Sequence, residues 1–271
     1  MKRTRRLSIR VGGALALLLL LLSWNMAVCT PGDATSCDGR LFVLISKPSE
    51  ILRQLQSGDI TLGLLGGYAM VTAWNALAGL ALAALFAACW YWNGTRFALI
   101  QDAGYAFVWF FQVVPYVAFA WIFSIVFGSF DKAMFGFLVA VFPVIGALLT
   151  CLRNIPPQER ELMRLYRASH ARAMRHLYLP NAAPYFFGGL ALAAPLSVVG
   201  VMIADLSGGS SAGLGRKIFT AVRNAEPAEL WVYTFAALLI SLALCALVWI
   251  AESIFKQRNR WYSTEERHGS L

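Results

Sequence analysis

Residues 153 to 180 read RNIPPQERELMRLYRASHARAMRHLYLP, a stretch with six arginines and little that a hydrocarbon layer accepts, flanked on both sides by apolar sequence. The 271-residue chain around it is 59% hydrophobic, has a mean hydropathy of +0.62 and is only 14% charged. Ordinary soluble domains carry roughly 25% charged residues. An all-α polytopic membrane protein is therefore expected, because in lipid a spanning helix satisfies its own backbone hydrogen bonds. The charged stretch then has to be a long loop between two spans.

Working outward, apolar segments long enough for a crossing helix lie at about residues 68–92, 103–127, 133–152, 185–204 and 230–254, given the ~20 residues needed to cross ~30 Å. A further run at 11–28 follows the basic start MKRTRR. It is read as an uncleaved first span rather than a signal peptide, since no small-x-small cleavage site precedes a mature domain. That makes about six spans. The third is the least regular, because Pro115 removes a backbone donor in its middle and is expected to kink it or split it in two. The expected organisation is an N-terminal span and outer-surface segment at 1–60, a core at 61–254 that includes the loop 153–183, and a tail at 255–271. The outer segment contains SKPSEILRQLQSGD, where Ile51, Leu52 and Leu55 at helical spacing predict a short surface helix.

The +9 net charge is unevenly spread: sixteen Lys and Arg fall in residues 1–10, 93–101, 153–183 and 255–271, and seven fall in the alternate segments. By the positive-inside rule both termini and the arginine-rich loop are expected in the cytoplasm. This distribution accounts for the charge without nucleic acid, and membrane lipid is the expected contact. Cys29 and Cys37 then face outward, where they form either a disulfide or two free thiols. The five cysteines and three histidines show no metal-ligand spacing, so no metal site is expected.

Within the loop, Pro156 and Pro157 suit a helix start and Glu159 and Glu161 occupy the first turns, where the helix dipole favours acids. Leu162, Leu165 and Tyr166 fall at i, i+3 and i+4 and form an apolar face. A second helix is expected from Ser169 as N-cap through Met174 and Leu177, ending before Pro180. The predicted unit is a helix-turn-helix with one apolar and one cationic face. Taken alone, that pattern also suits a loop lying on anionic headgroups.

Spacing adds a resemblance. Glu161-Leu162-Met163, Arg167, Leu177 and Leu179-Pro180 fall on the positions of the EAA motif of bacterial ABC-importer permeases: Glu-Ala-Ala, three residues, Gly, nine residues, Ile, one residue, Leu-Pro. TAWNALAG at 72–79, FFQVVP ending at Pro115, IVFGSFDK at 125–132 and GGSSAGLGRKIF at 208–219 also resemble parts of the nitrate/sulfonate/taurine-type permeases. The chain departs from the pattern where Glu-Leu-Met replaces Glu-Ala-Ala, where Arg167 stands in place of the turn glycine, and at Asn75, a position often held by Arg.

The resemblance implies a permease subunit of a bacterial inner-membrane importer that works as a homodimer and takes its solute from a separate binding protein. The elbow would dock into a cytoplasmic ATPase subunit, which binds ATP and Mg, so this chain is expected to hold no cofactor and to catalyse nothing itself. Glu161 and Arg164 are the expected orienting contacts, Leu162, Leu165 and Met174 the packing contacts, and Pro180 the rigid return into the fifth span. The cluster GGSSAGLGRK does not align with G-x4-G-K-[ST] and is read as a re-entrant or loop segment.

Polar groups within spans are costly in lipid and usually face a partner or a cavity. The residues selected for a translocation path are Gln112, Pro115 and Trp109 around the expected kink, together with Asp205. Asp205 alternatively sits in the membrane interface, and Gln112 and Asn75 alternatively join helices. Ser124 and Ser197 are expected to bond to their own helix backbone. The alternative function is a membrane-embedded enzyme or channel-like scaffold. An enzyme requires convergent His, Asp, Glu or Cys at membrane depth, whereas the sequence offers an isolated Asp205.

Overall fold

The computed structural model describes residues 62–113, 115–206 and 213–258. The expected first span at 11–28, the surface helix with Ile51, Leu52 and Leu55, Cys29, Cys37, residues 208–212 and most of the tail lie outside them. The described part is helical throughout, with no β-strand. In chain order it comprises α1 (Leu62–Gly94), α2 (Ala98–Val113), a 3-10 turn (Tyr116–Phe119), α3 (Ala120–Phe127), a second 3-10 turn (Gly128–Phe130) and α4 (Asp131–Asn154). There follow α5 (Pro157–Leu165), α6 (His170–Ala173), a π-helical turn (Met174–Tyr178), α7 (Leu179–Leu206), α8 (Leu214–Arg223) and α9 (Pro227–Arg258).

Four described stretches are long and apolar enough to cross a membrane: Gly63–Gly94, Tyr116–Asn154, His170–Leu206 and Pro227–Arg258. The second is not one straight rod. Gly128 has φ +54°, a left-handed conformation open to glycine, and beyond it the chain doubles back so that the Phe123 and Phe135 rings meet edge to face at 5.3 Å. The expected third span is therefore divided. Pro115 ends α2, and the remainder forms the short arm of a hairpin with α4, as a missing backbone donor in the middle of an apolar run requires.

The described residues fall into two compact units. In the larger, residues 68–206, 213–216 and 237–258, α4 and α7 form the centre, with Val144, Ile145, Leu148, Ala193, Val198 and Val201 buried. The α1 helix crosses α4 at Gly79, where a Cβ would lie 2.7 Å from the Phe137 nitrogen, so only a glycine admits that approach. Ser197 donates to the Ala76 carbonyl at 2.6 Å. This corrects the expectation that its hydroxyl turns to its own helix: the close crossing brings a neighbouring carbonyl within reach. Asn75 does the reverse and donates to its own helix at Val71 O, 2.8 Å, rather than joining helices. In the smaller unit, residues 62–67 and 217–236, Val232 is buried beside Leu65 and Trp231.

Candidate functional site

The arginine-rich stretch forms an elbow. Pro157 occupies the first turn of α5, where its missing N–H costs nothing, and Glu159 stands in the same turn. The helix ends in a Schellman motif: Ala168 N–H bonds to Met163 O at 3.0 Å and Arg167 N–H to Arg164 O at 2.9 Å. Arg167, at the glycine position of the EAA pattern, has φ +45°. The turn is thus the glycine-type turn held by an arginine, at a cost of about 1 kcal/mol.

Two faces of α5 separate cleanly. Leu162, Leu165 and Tyr166 are 48, 80 and 73% exposed. Glu161 is also exposed. Two residues out of phase, and so on the opposite side, Arg160, Met163 and Arg164 line a cavity of about 420 Å³ behind the elbow. Arg164, expected with Glu161 as an orienting contact, lines that cavity.

The second helix starts after Ser169, as expected, but does not end before Pro180. His170–Leu206 is one continuous helical stretch. The π turn at Met174–Tyr178 precedes the proline and adjusts the hydrogen-bond ladder that Pro180 interrupts. Asn181 Nδ2 donates to Leu177 O at 3.0 Å. Met174 and Leu177 are buried in this chain's own core and so hold the elbow on rather than offering surface to a partner, while Leu179 is exposed. Tyr91 on α1 donates to Tyr178 O at 2.9 Å, Tyr105 on α2 donates to Leu149 O at 3.0 Å, and Arg160 Nη2 bonds to Leu152 O. The Arg160 bond ties the elbow to the last turn of α4, the Tyr91 bond ties it to α1, and the Tyr105 bond holds α2 against α4.

The far end of α7 carries the second feature. Asp205 is not isolated: Lys132 Nζ lies 2.5 Å from its Oδ1, and Gly215 N–H donates to its Oδ2 at 3.1 Å. Leu214 N–H bonds to Thr72 Oγ1 at 3.0 Å. Asp205 and Thr72 thus satisfy the first N–H groups of α8, donors that a helix start leaves orphaned. Thr72, Asp131, Lys132 and Asp205 are all buried. Sequence reasoning missed Lys132, which it counted as a loop charge. The signal available was its place beside Asp131 at the start of an apolar span. Beyond Gly213 the chain is helical, so of the expected re-entrant or loop segment this part is not a loop.

Of the residues selected for a path, Trp109 is 73% exposed and Pro115 is also exposed. The side chain of Gln112 lies outside the described residues. Phe111 is engaged in packing, stacked on Phe142 with ring centroids 5.0 Å apart. No group of His, Cys, Asp or Glu among the described residues could hold a metal.

The segments TAWNALAG, IVFGSFDK and GGSSAGLGRKIF meet through Thr72, Lys132 and Gly215 around Asp205. Residues 79–261 match the family of binding-protein-dependent transport system inner membrane components. The chain belongs to this family. Among relatives within this broad group of transport components, a probable ABC transporter permease protein of Haemophilus influenzae is 30% identical over 136 residues, 49% of this chain and 54% of that protein. A formylaminopyrimidine transport permease protein of Halalkalibacterium halodurans is 28% identical over 127 residues, 46% of this chain and 49% of that protein. A nitrate import permease protein of Leptolyngbya laminosa is 29% identical over 112 residues, 41% of this chain and 40% of that protein. The chain thus spans about half or less of the length of these curated relatives. The elbow, the Lys132–Asp205 pair and α7 all lie inside the family match.

Proposed function

We propose that this chain is the permease subunit of an ATP-driven importer, forming with a second copy the path for a small organic or inorganic solute handed over by a binding protein. ATP and Mg are held by a cytoplasmic ATPase subunit that seats the elbow, and this chain supplies no catalytic group. The chain sits in a bacterial inner membrane with both termini and the elbow cytoplasmic, as the basic segments favour. The relatives' names, which include formylaminopyrimidine and nitrate transport, support a small solute.

The observation that carries this reading is the bare apolar face of α5. Leu162, Leu165 and Tyr166 are exposed on a helix held rigidly from behind, and an apolar face with a polar rim is what a helix-in-groove contact requires. The elbow also continues without a break into α7, whose other end holds Asp205. At 1.5 Å per residue that is a lever of about 55 Å, so displacement of the elbow reaches the polar site at the opposite end. Glu161, beside the exposed leucines, orients the contact. Arg164 acts from the other side of the helix, and Leu179 and Pro180 belong to the root of the lever.

The test is solute uptake into vesicles holding the chain with its cognate ATPase and binding protein. Uptake that requires all three and ATP supports the reading. Uptake without the ATPase rejects it.

A further inference from the structure

The cavity behind the elbow is lined by an excess of basic side chains. Arg96, Arg160, Arg164 and His170 line it together with Thr95 and Gln101, and none of the four basic residues makes an ion pair among the described residues. Arg160 Nε and His170 Nε2 are buried with no hydrogen-bond partner. Three guanidiniums around one concavity repel one another, and buried donors without acceptors are costly, so an anion with several oxygens would satisfy the site.

A second cavity, of about 360 Å³ and almost wholly apolar, adjoins it, lined by Tyr91, Trp92, Met174, Phe186 and Phe187 among others. The two linings meet where the Trp92 and His170 rings lie edge to face, centroids 5.7 Å apart, and at the Tyr91 bond to Tyr178. Both cavities lie where α1 ends at Gly94, the level at which apolar sequence gives way to Thr95 and Arg96, with Trp92 half exposed as at a membrane interface.

We propose that these paired cavities bind an anionic phospholipid, the phosphate among Arg96, Arg160 and Arg164 and an acyl chain in the apolar cavity. Basic pockets between spans at the membrane surface suit such headgroups. Inorganic phosphate or a nucleotide would use the arginines but leave the apolar cavity without a role. A partner's carboxylate is disfavoured because the apolar docking face of α5 is the opposite one. The site uses the face of α5 turned away from Leu162 and Leu165, so its failure would leave the coupling proposal standing, and the reverse holds as well.

The experiment is native mass spectrometry of the full chain released from bilayer discs of mixed phosphatidylglycerol and phosphatidylcholine. Retention of phosphatidylglycerol over phosphatidylcholine is expected, falling about fivefold for each arginine neutralised in Arg96→Gln and in Arg96→Gln/Arg164→Gln. Arg96 lies in the turn between α1 and α2, so the single variant keeps the test valid if the double one fails to fold. Arg223→Gln, on α8, is expected to change nothing. Equal retention of both lipids, unchanged retention in Arg96→Gln, or displacement of phosphatidylglycerol by inorganic phosphate would each overturn the proposal.

Discussion

Lys132 Nζ and Asp205 Oδ1 lie 2.5 Å apart with both side chains almost wholly buried, joining the start of α4 to the end of α7. A buried pair of this kind contributes little over an apolar replacement, yet removing one partner leaves an uncompensated charge, at about 3–5 kcal/mol. Asp205 also accepts the Gly215 N–H, so the same carboxylate anchors the start of α8.

Lys132→Met and Asp205→Asn are each expected to lower the thermal midpoint of the detergent-purified chain, and the double variant to lose less than the sum of the two. A double-mutant cycle reads this coupling directly. Additive losses would mean that the two side chains do not act as a pair.

Arg167 stands at φ +45° in the turn of the elbow. Arg167→Gly is expected to raise stability by about 1 kcal/mol, since glycine meets no Cβ penalty there, and Arg167→Val to lower it. Ala225, at φ +57° with Glu226 N–H bonded back to Ala221 O, supplies an internal comparison: Ala225→Gly should stabilise in the same direction. Thermal melts of the wild type and the three variants check both.

Where α1 crosses α4, an added Cβ at Gly79 meets backbone atoms of residues 133, 136 and 137. Backbone cannot move aside as a side-chain tip can. Gly79→Val is expected to cost about 1–3 kcal/mol through overpacking, while Gly66→Val, where a Cβ meets nothing within 4 Å, serves as the control. Equal melting of the two variants would contradict the crossing geometry.

The helical class, most of the spans and the starts of α5 and α6 were legible in the sequence because lipid leaves a long apolar run few alternatives and because proline and serine mark helix starts locally. The division of the third span was legible as well, in Pro115. The end of the second elbow helix was not. Pro180 reads as a stop, but a π turn placed just before it lets the helix continue, and only the packing of Met174 and Leu177 makes that turn worthwhile. The Lys132–Asp205 pair was hidden for a related reason: the residues are far apart in sequence, and charge counting treats a lysine at a span's end as loop. Which elbow side chains face outward depends on the attachment of Arg160 and Met163 behind it, a tertiary fact that helical spacing alone leaves open.

The exposed face of α5 carries the functional account, and retention of the ATPase tests it most directly. The full chain is co-expressed with its cognate ATPase subunit, captured from detergent-solubilised membranes, and the bound ATPase is quantified. Leu162→Glu/Leu165→Glu is expected to lose the ATPase while keeping the wild-type melting temperature, and Arg96→Gln is expected to retain it. Wild-type levels of ATPase on the doubly charged variant would contradict the account.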